Sequence, residues 1–268
     1  MTLVLTELSN AGIAMVADSA ISEINLATGR VNKVNKDSWR KLLRVPSIGA
    51  AISYWGVVGA LTRKQFDLWL KERVIESKNY SDIDSFVDHF VATLNDATSN
   101  RPLANYQNIG VHVAGYSNWD DGERRPVLFH VNNGDLEFDL EQYDYKKYPI
   151  RLFEKNQNFP SKNATLEQNI RQLEVGVLLR NGHYSDYMVI WNALEVALKY
   201  IETHSTLSIP SNPNDLQSRK EYLKMAIEIV IRIYDCSNQK NQSVIGGEVV
   251  SLGIGANGYL LPIDERIG

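Results

Sequence analysis

A threonine stands directly behind Met1, and the segment after it reads as a strand, a turn and a second strand ending on an acid. Leu3 to Leu8 and Gly12 to Ala17 carry the apolar residues, while Ser9, Asn10, Ala11 and Gly12 supply turn chemistry. A chain that doubles back in this way brings Asp18 and Ser19 near its own start. A threonine whose α-amino group is freed by loss of Met1 carries its own base, because that amine has a reference pKa of about 7.7 to 8.0. An ordinary hairpin with a solvated Thr and Asp uses the same residues, so the remainder of the chain has to decide.

At 268 residues the chain is long enough to bury a large core and short enough for one domain. Hydrophobic residues are 44% and charged residues 22%, the balance of a globular protein rather than a disordered or fibrous one. The net charge of −4, with Arg and Lys scattered, argues against nucleic acid as a partner, since phosphate neutralisation needs a concentrated basic patch. No apolar run approaches the roughly 20 residues that span a bilayer. The start of the chain has no basic segment followed by an apolar one. The expectation is a cytoplasmic protein with no membrane partner. Cys236 is the one cysteine, so an internal disulfide is impossible and a buried thiol is expected.

Two further apolar runs, Leu42 to Val45 and Ile48 to Tyr54, read as a second hairpin after a polar loop from Ser22 to Trp39. Leu61, Phe66, Trp69, Leu70 and Val74 suit one helix face. Ile83, Phe86, Val87, Phe90, Val91 and Leu94 suit a second, with Ser81 as its cap. Ile109 to Tyr116 and Val127 to Val131 are expected strands around an acidic turn. Residues from about 135 to 180 read as an irregular insertion within a single domain spanning 1–268. Met188, Trp191, Leu194, Leu198 and Ile201 mark a third helix, and a fourth runs from about Leu216 to Tyr234. Closing strands follow at Val244 to Ile254 and Tyr259 to Pro262. Strands, two helices, strands, two helices, strands is an α+β order, and it suggests a four-layer αββα sandwich, two packed sheets with a helix pair on each outer face.

With the elements placed, a family resemblance becomes specific. Thr2, Gly12 to Ser19, Arg40 to Pro46 followed by Gly56, Gly110 to Tyr116, and Asp235 with Gly246 and Gly247 resemble the proteasome-type N-terminal nucleophile hydrolases. The short N-terminus is similar to the bacterial HslV-type peptidases and the Anbu group of proteasome homologues, and Trp39-Arg40-Lys41-Leu42 leans toward Anbu. The resemblance implies that Thr2 is nucleophile and base, and that Lys41, held by Asp18, eases formation of the alkoxide. It also implies that Gly56 offers an oxyanion N–H, and that Asp235, with Ser243 as companion, positions the threonine. Implied partners are a peptide or unfolded-protein substrate, identical subunits in a ring or spiral, and an ATPase of unknown identity. No cofactor or metal is expected.

The match departs from the family in three places. A longer loop makes Lys33 a rival to Lys41, although Lys41 opens the apolar strand that leads to Gly56. An expanded loop before the paired glycines makes Ser237 a rival to Ser243. The family's Gly-Ser-Gly-Ser turn is replaced by Gly182-His183-Tyr184-Ser185, leaving His183 or Ser185 for the active-site serine. Two functional rivals remain, a noncatalytic scaffold subunit of the same fold and a hydrolase of small non-peptide amides. Gly253 to Gly258 matches GxGxxG but leaves no room for a βαβ unit, so a hairpin turn is expected there. The five histidines show no metal spacing.

Overall fold

The computed structural model describes residues 3–24, 31–35, 40–56, 66–98, 109–133, 143–148, 165–182, 184–206, 215–236 and 245–260. The opening hairpin is β1 (Leu3–Ser9) and β2 (Gly12–Asp18), paired from Val4 with Ala17 to Ser9 with Gly12. Every residue of both strands is buried. That is why they read as nearly continuous apolar runs rather than alternating ones.

Next come β3 (Ile21–Ile24) and β4 (Val31–Asn35), which pair as a separate two-stranded sheet where a polar loop was expected. The second hairpin is β5 (Leu42–Val45) and β6 (Ala50–Gly56), joined by a single 3-10 turn at Pro46–Ile48. Ile48 therefore belongs to the turn. Helices α1 (Phe66–Glu76) and α2 (Ile83–Thr98) follow. The cap of α2 is Asp82 rather than Ser81: its carboxylate accepts the Ser85 N–H at 2.8 Å. Strands β7 (Ile109–Asn118) and β8 (Arg124–Asn132) pair about the acidic turn.

The span 135–180 lies partly outside the described residues. It contains β9 (Asp144–Tyr148), which extends the sheet beside β8, then α3 (Leu166–Val175) and β10 (Val177–Gly182), which pairs antiparallel with β1. A Thr165–Gln168 capping box starts α3. The chain continues through α4 (Tyr184–His204) and α5 (Leu216–Cys236) to β11 (Val249–Gly255) and β12 (Gly258–Leu260). Gly255 pairs with Gly258, so the GxGxxG match is a tight hairpin turn, as expected. Cys236 is exposed at the end of α5 and not buried.

The result is a mixed α+β architecture with two five-stranded antiparallel sheets, β10-β1-β2-β11-β12 and β5-β6-β7-β8-β9. Three apolar clusters hold it. Leu3, Leu5 and Val16 pack with Leu223, Ile227 and Val230 of α5. Val4, Leu8, Ile13 and Met15 pack with Ala51, Ala114 and Leu128 of the other sheet. Ile52, Val111 and Phe129 pack with Phe86, Phe90 and Leu70. Each fully buried large side chain contributes about 1.5–3 kcal/mol. Among the described residues no helix is long and apolar enough to cross a membrane.

Candidate active site

The register of the first hairpin sets Asp18 beside Leu3, and the two are joined directly: the Leu3 N–H donates to Asp18 Oδ1 at 2.9 Å. Lys41, immediately before β5, donates its ammonium to the same oxygen at 3.0 Å. The other oxygen, Oδ2, accepts from Ala20 N at 3.3 Å and Gly246 N at 3.1 Å. One carboxylate thus gathers the beginning of β1, the segment after β2, the approach to β5 and the approach to β11. Lys41 also donates to the Ala20 carbonyl, and Ser19 Oγ accepts the Glu248 N–H at 2.8 Å.

Both side chains of this ion pair are withdrawn from solvent, at 1% exposure for Lys41 and 0% for Asp18. Burying two charges is costly unless the remaining lone pairs and protons find partners, and here the backbone supplies them. Burial pulls the Lys41 ammonium below its ordinary pKa, and the Asp18 carboxylate opposes that shift. The arrangement holds a cation in a dry place against the first described residue of β1. Such a cation stabilises a developing oxyanion far more than it would in water.

Gly56 ends β6 opposite Ile109, at φ 102°, in the left-handed region that favours glycine. Tyr54 N donates to the Lys41 carbonyl at 3.3 Å, so Gly56 lies two residues, about 7 Å, further along the strand. Asp235 lies in the last turn of α5, partly exposed. Thr2, Ser243, the rival Ser237 and His183 fall outside the described residues. Lys33 lies on β4 and Ser185 at the start of α4, with only their backbone described. The structure therefore brings Asp18, Lys41 and the start of β1 together.

A second polar group sits between the sheets and was missed from sequence. Thr6 Oγ1 is 2.9 Å from His112 Nδ1, and His112 Nε2 is 3.3 Å from His130 Nδ1. The Asn181 amide nitrogen reaches His112 Nε2 at 2.6 Å and His130 Nδ1 at 3.4 Å, and the Asn132 amide nitrogen is 2.7 Å from His130 Nε2. The Trp55 ring packs on both imidazoles, 4.8 Å from His112 and 5.3 Å from His130. Complete burial pushes the His112 pKa well below its ordinary value, with a further push from His130, so His112 is neutral at pH 7. A usable sequence signal existed: the two histidines stand symmetrically about the acidic turn that joins β7 and β8.

No protein-family model and no curated protein matches the chain. Among solved structures, a Gly-1 mutant of Anbu from Hyphomicrobium sp. strain MC1 is similar over 99% of this chain and 86% of that one, with a TM-score of 0.50 at 12% identity. At that identity the likeness is one of fold, a distant relationship to a member of the group toward which the Trp39–Leu42 passage leans.

Proposed function

We propose that the chain is a threonine-type peptidase, with Thr2 as nucleophile once Met1 is removed. The observation that carries this reading is the meeting of the Leu3 amide and the Lys41 ammonium on a single buried oxygen of Asp18. Thr2 is the residue before Leu3, whose N–H shares this oxygen with the Lys41 ammonium. The fold likeness to Anbu supports the reading. So do the apolar clusters, which fit a four-layer order of helices, sheet, sheet and helices.

In this mechanism the freed α-amine takes the Thr2 hydroxyl proton while Oγ1 attacks the scissile carbonyl carbon. The carbonyl oxygen becomes an oxyanion, for which Gly56 is the proposed N–H donor and Lys41 the nearby positive charge. Collapse breaks the C–N bond and passes the proton to the departing amine, leaving an ester on Thr2. Water then adds to the ester with the α-amine again as base, releasing the acid and restoring Thr2. Asp18 holds Lys41 in place, and Asp235 with Ser243 would orient the amine.

The same reading includes assembly into a homo-oligomer. Val189, Val196 and Tyr200 of α4 are 73%, 72% and 63% exposed and share one helix face, a surface that a second copy would cover.

An electrophilic threonine-directed probe tests the nucleophile. Mature protein should be labelled at Thr2, with Thr2→Ala and Met1-retaining protein unlabelled. Hydrolysis that persists in Thr2→Ala overturns the mechanism. A folded, unlabelled wild type lacking Met1 favours the scaffold reading, and labelling without cleavage of any peptide favours small amides.

A further inference from the structure

We propose that His112 and His130 are positioning residues that hold Trp55, and through it the Gly56 end of β6, against β1 only while both imidazoles are neutral. Its link to turnover rests on the nucleophile reading above. The geometric part stands by itself.

The two rings bridge the sheets, His112 fully buried and His130 partly so. His112 is anchored to β1 through Thr6, and Asn181 on β10 closes the network from the same side. Trp55 is clamped from the other side. It lies across Gly110, where a Cβ would stand 1.8 Å from the indole. The residue after Trp55 is Gly56, so a shift of the indole is transmitted to the proposed oxyanion donor through one peptide link.

Proton bookkeeping explains the sensitivity. With His112 Nδ1–H donating to Thr6 Oγ1, its Nε2 is a lone pair facing both the Asn181 amide and His130 Nδ1. Neutral rings satisfy that contact with one N–H against one lone pair. Protonation of both rings sets two N–H groups head to head at 3.3 Å and turns the Asn181 N–H from a donor into a clash. An alternative acceptor stands by, since Ser53 Oγ, directly across from His112, is buried without a hydrogen-bond partner among the described residues.

The neighbours favour the neutral state. From β1 comes Thr6, from β6 Ser53 and Trp55, from β10 Asn181, and from β8 Asn132, none of them charged near neutral pH. From β9, Lys146 pairs across from His130 on the same sheet face and opposes added positive charge, while Asp144 pairs with Asn132 and is exposed. Arg180 of β10 turns to the opposite face, over Trp191.

The test titrates intact protein from pH 8 to 4.5, following tryptophan emission and the ring nitrogens of 15N-histidine by NMR. A protonated imidazole quenches an adjacent indole, so the emission of Trp55 should fall in one step at a pH below the ordinary histidine value of about 6.5. The step should be missing in Trp55→Phe and displaced in His130→Asn, with the NMR transitions of His112 and His130 on the same midpoint. In peptide hydrolysis, kcat should fall about tenfold per pH unit below that midpoint with KM little changed. His130→Asn should shift this acid limb, and His130→Gln should restore part of the wild-type profile.

Two rings titrating independently near 6.5, or no Trp55 step, overturn the proposal even if hydrolysis is robust. An acid limb unmoved in His130→Asn, with the Trp55 step present, overturns the link to Gly56. Absence of hydrolysis at every pH removes the nucleophile reading instead, and the emission and NMR results still decide the positioning pair.

Discussion

The buried Asp18–Lys41 pair and the pair of buried His112 with partly buried His130 meet the cost of burial in opposite ways. The first keeps its charges and surrounds the carboxylate with three backbone N–H donors and an ammonium. In the second, burial disfavours the charged form of His112, and the two rings form a network with Thr6, Asn132 and Asn181. Truncating one partner of a buried ion pair strands the other charge, whereas a buried neutral network fails when a charge is added. On the proposed reading, the first pair acts electrostatically on a substrate and the second responds to a proton.

The largest expected effect comes from Asp18→Ala. It strands the Lys41 ammonium in a site with 1% exposure and leaves the Leu3, Ala20 and Gly246 N–H groups without their acceptor. Breaking a buried pair in this manner costs about 3–5 kcal/mol. Urea unfolding should show that loss at pH 7. Lys41→Met should cost less, since the three N–H donors still hold the carboxylate. Equal costs for the two variants would mean that the backbone donors contribute little and that the ammonium carries most of the carboxylate's stabilisation.

Gly110→Ala comes next and probes the neutral pair without touching its titratable groups. The added methyl cannot coexist with the indole at 1.8 Å, so Trp55 must leave His112 and His130. Overpacking of this kind costs about 1–3 kcal/mol. The Trp55 emission should lose its acid step while the Lys41–Asp18 pair is undisturbed. A crystal structure of the variant with the indole still seated on both rings would show that the close fit at Gly110 is not what holds it.

How much of this was legible in sequence differs between the two pairs for a physical reason. Asp18 could be placed because a short turn fixes a hairpin's register locally, and Lys41 because it opens an apolar strand. His112 and His130 are separated along the chain and meet only through the β7–β8 ladder, whose register the acidic turn sets. Asn181 is harder still. It joins them because β10 pairs with β1, and the sequence of β10 gives no hint of that partner. Strand β9, Asp-Tyr-Lys-Lys-Tyr, lies at a sheet edge and lacks the apolar alternation that marks a strand, so its residues do not read as one in the sequence. Helices α2 and α5 were plain because their buried residues recur at helical spacing.

The smallest effect is the pH dependence of stability, and it separates the pairs by window. The folded pKa of His112 is depressed, so between that value and about 6.5 the unfolded chain binds a proton that the folded chain does not. Stability therefore falls as pH drops through this window, by at most about 1.4 kcal/mol per pH unit for this one group, and levels off once the folded ring is protonated. Lys41 is depressed too, so its contribution carries the same sign in a window below 10.5, rising as the folded ammonium is lost first. Buried tyrosines such as Tyr54, whose pKa is raised, pull the other way above about pH 10. The lysine's part must accordingly be read as the difference between wild type and Lys41→Met. Urea unfolding at half-unit steps should show that His112→Gln flattens the acid window and leaves the alkaline one as in wild type, whereas Lys41→Met changes the alkaline window and also the acid range, because the buried Asp18 carboxylate is left without its cation. An alkaline window altered by His112→Gln, which touches neither Lys41 nor Asp18, would mean that the two pairs are one coupled unit, a single network reaching from Asp18 to His130.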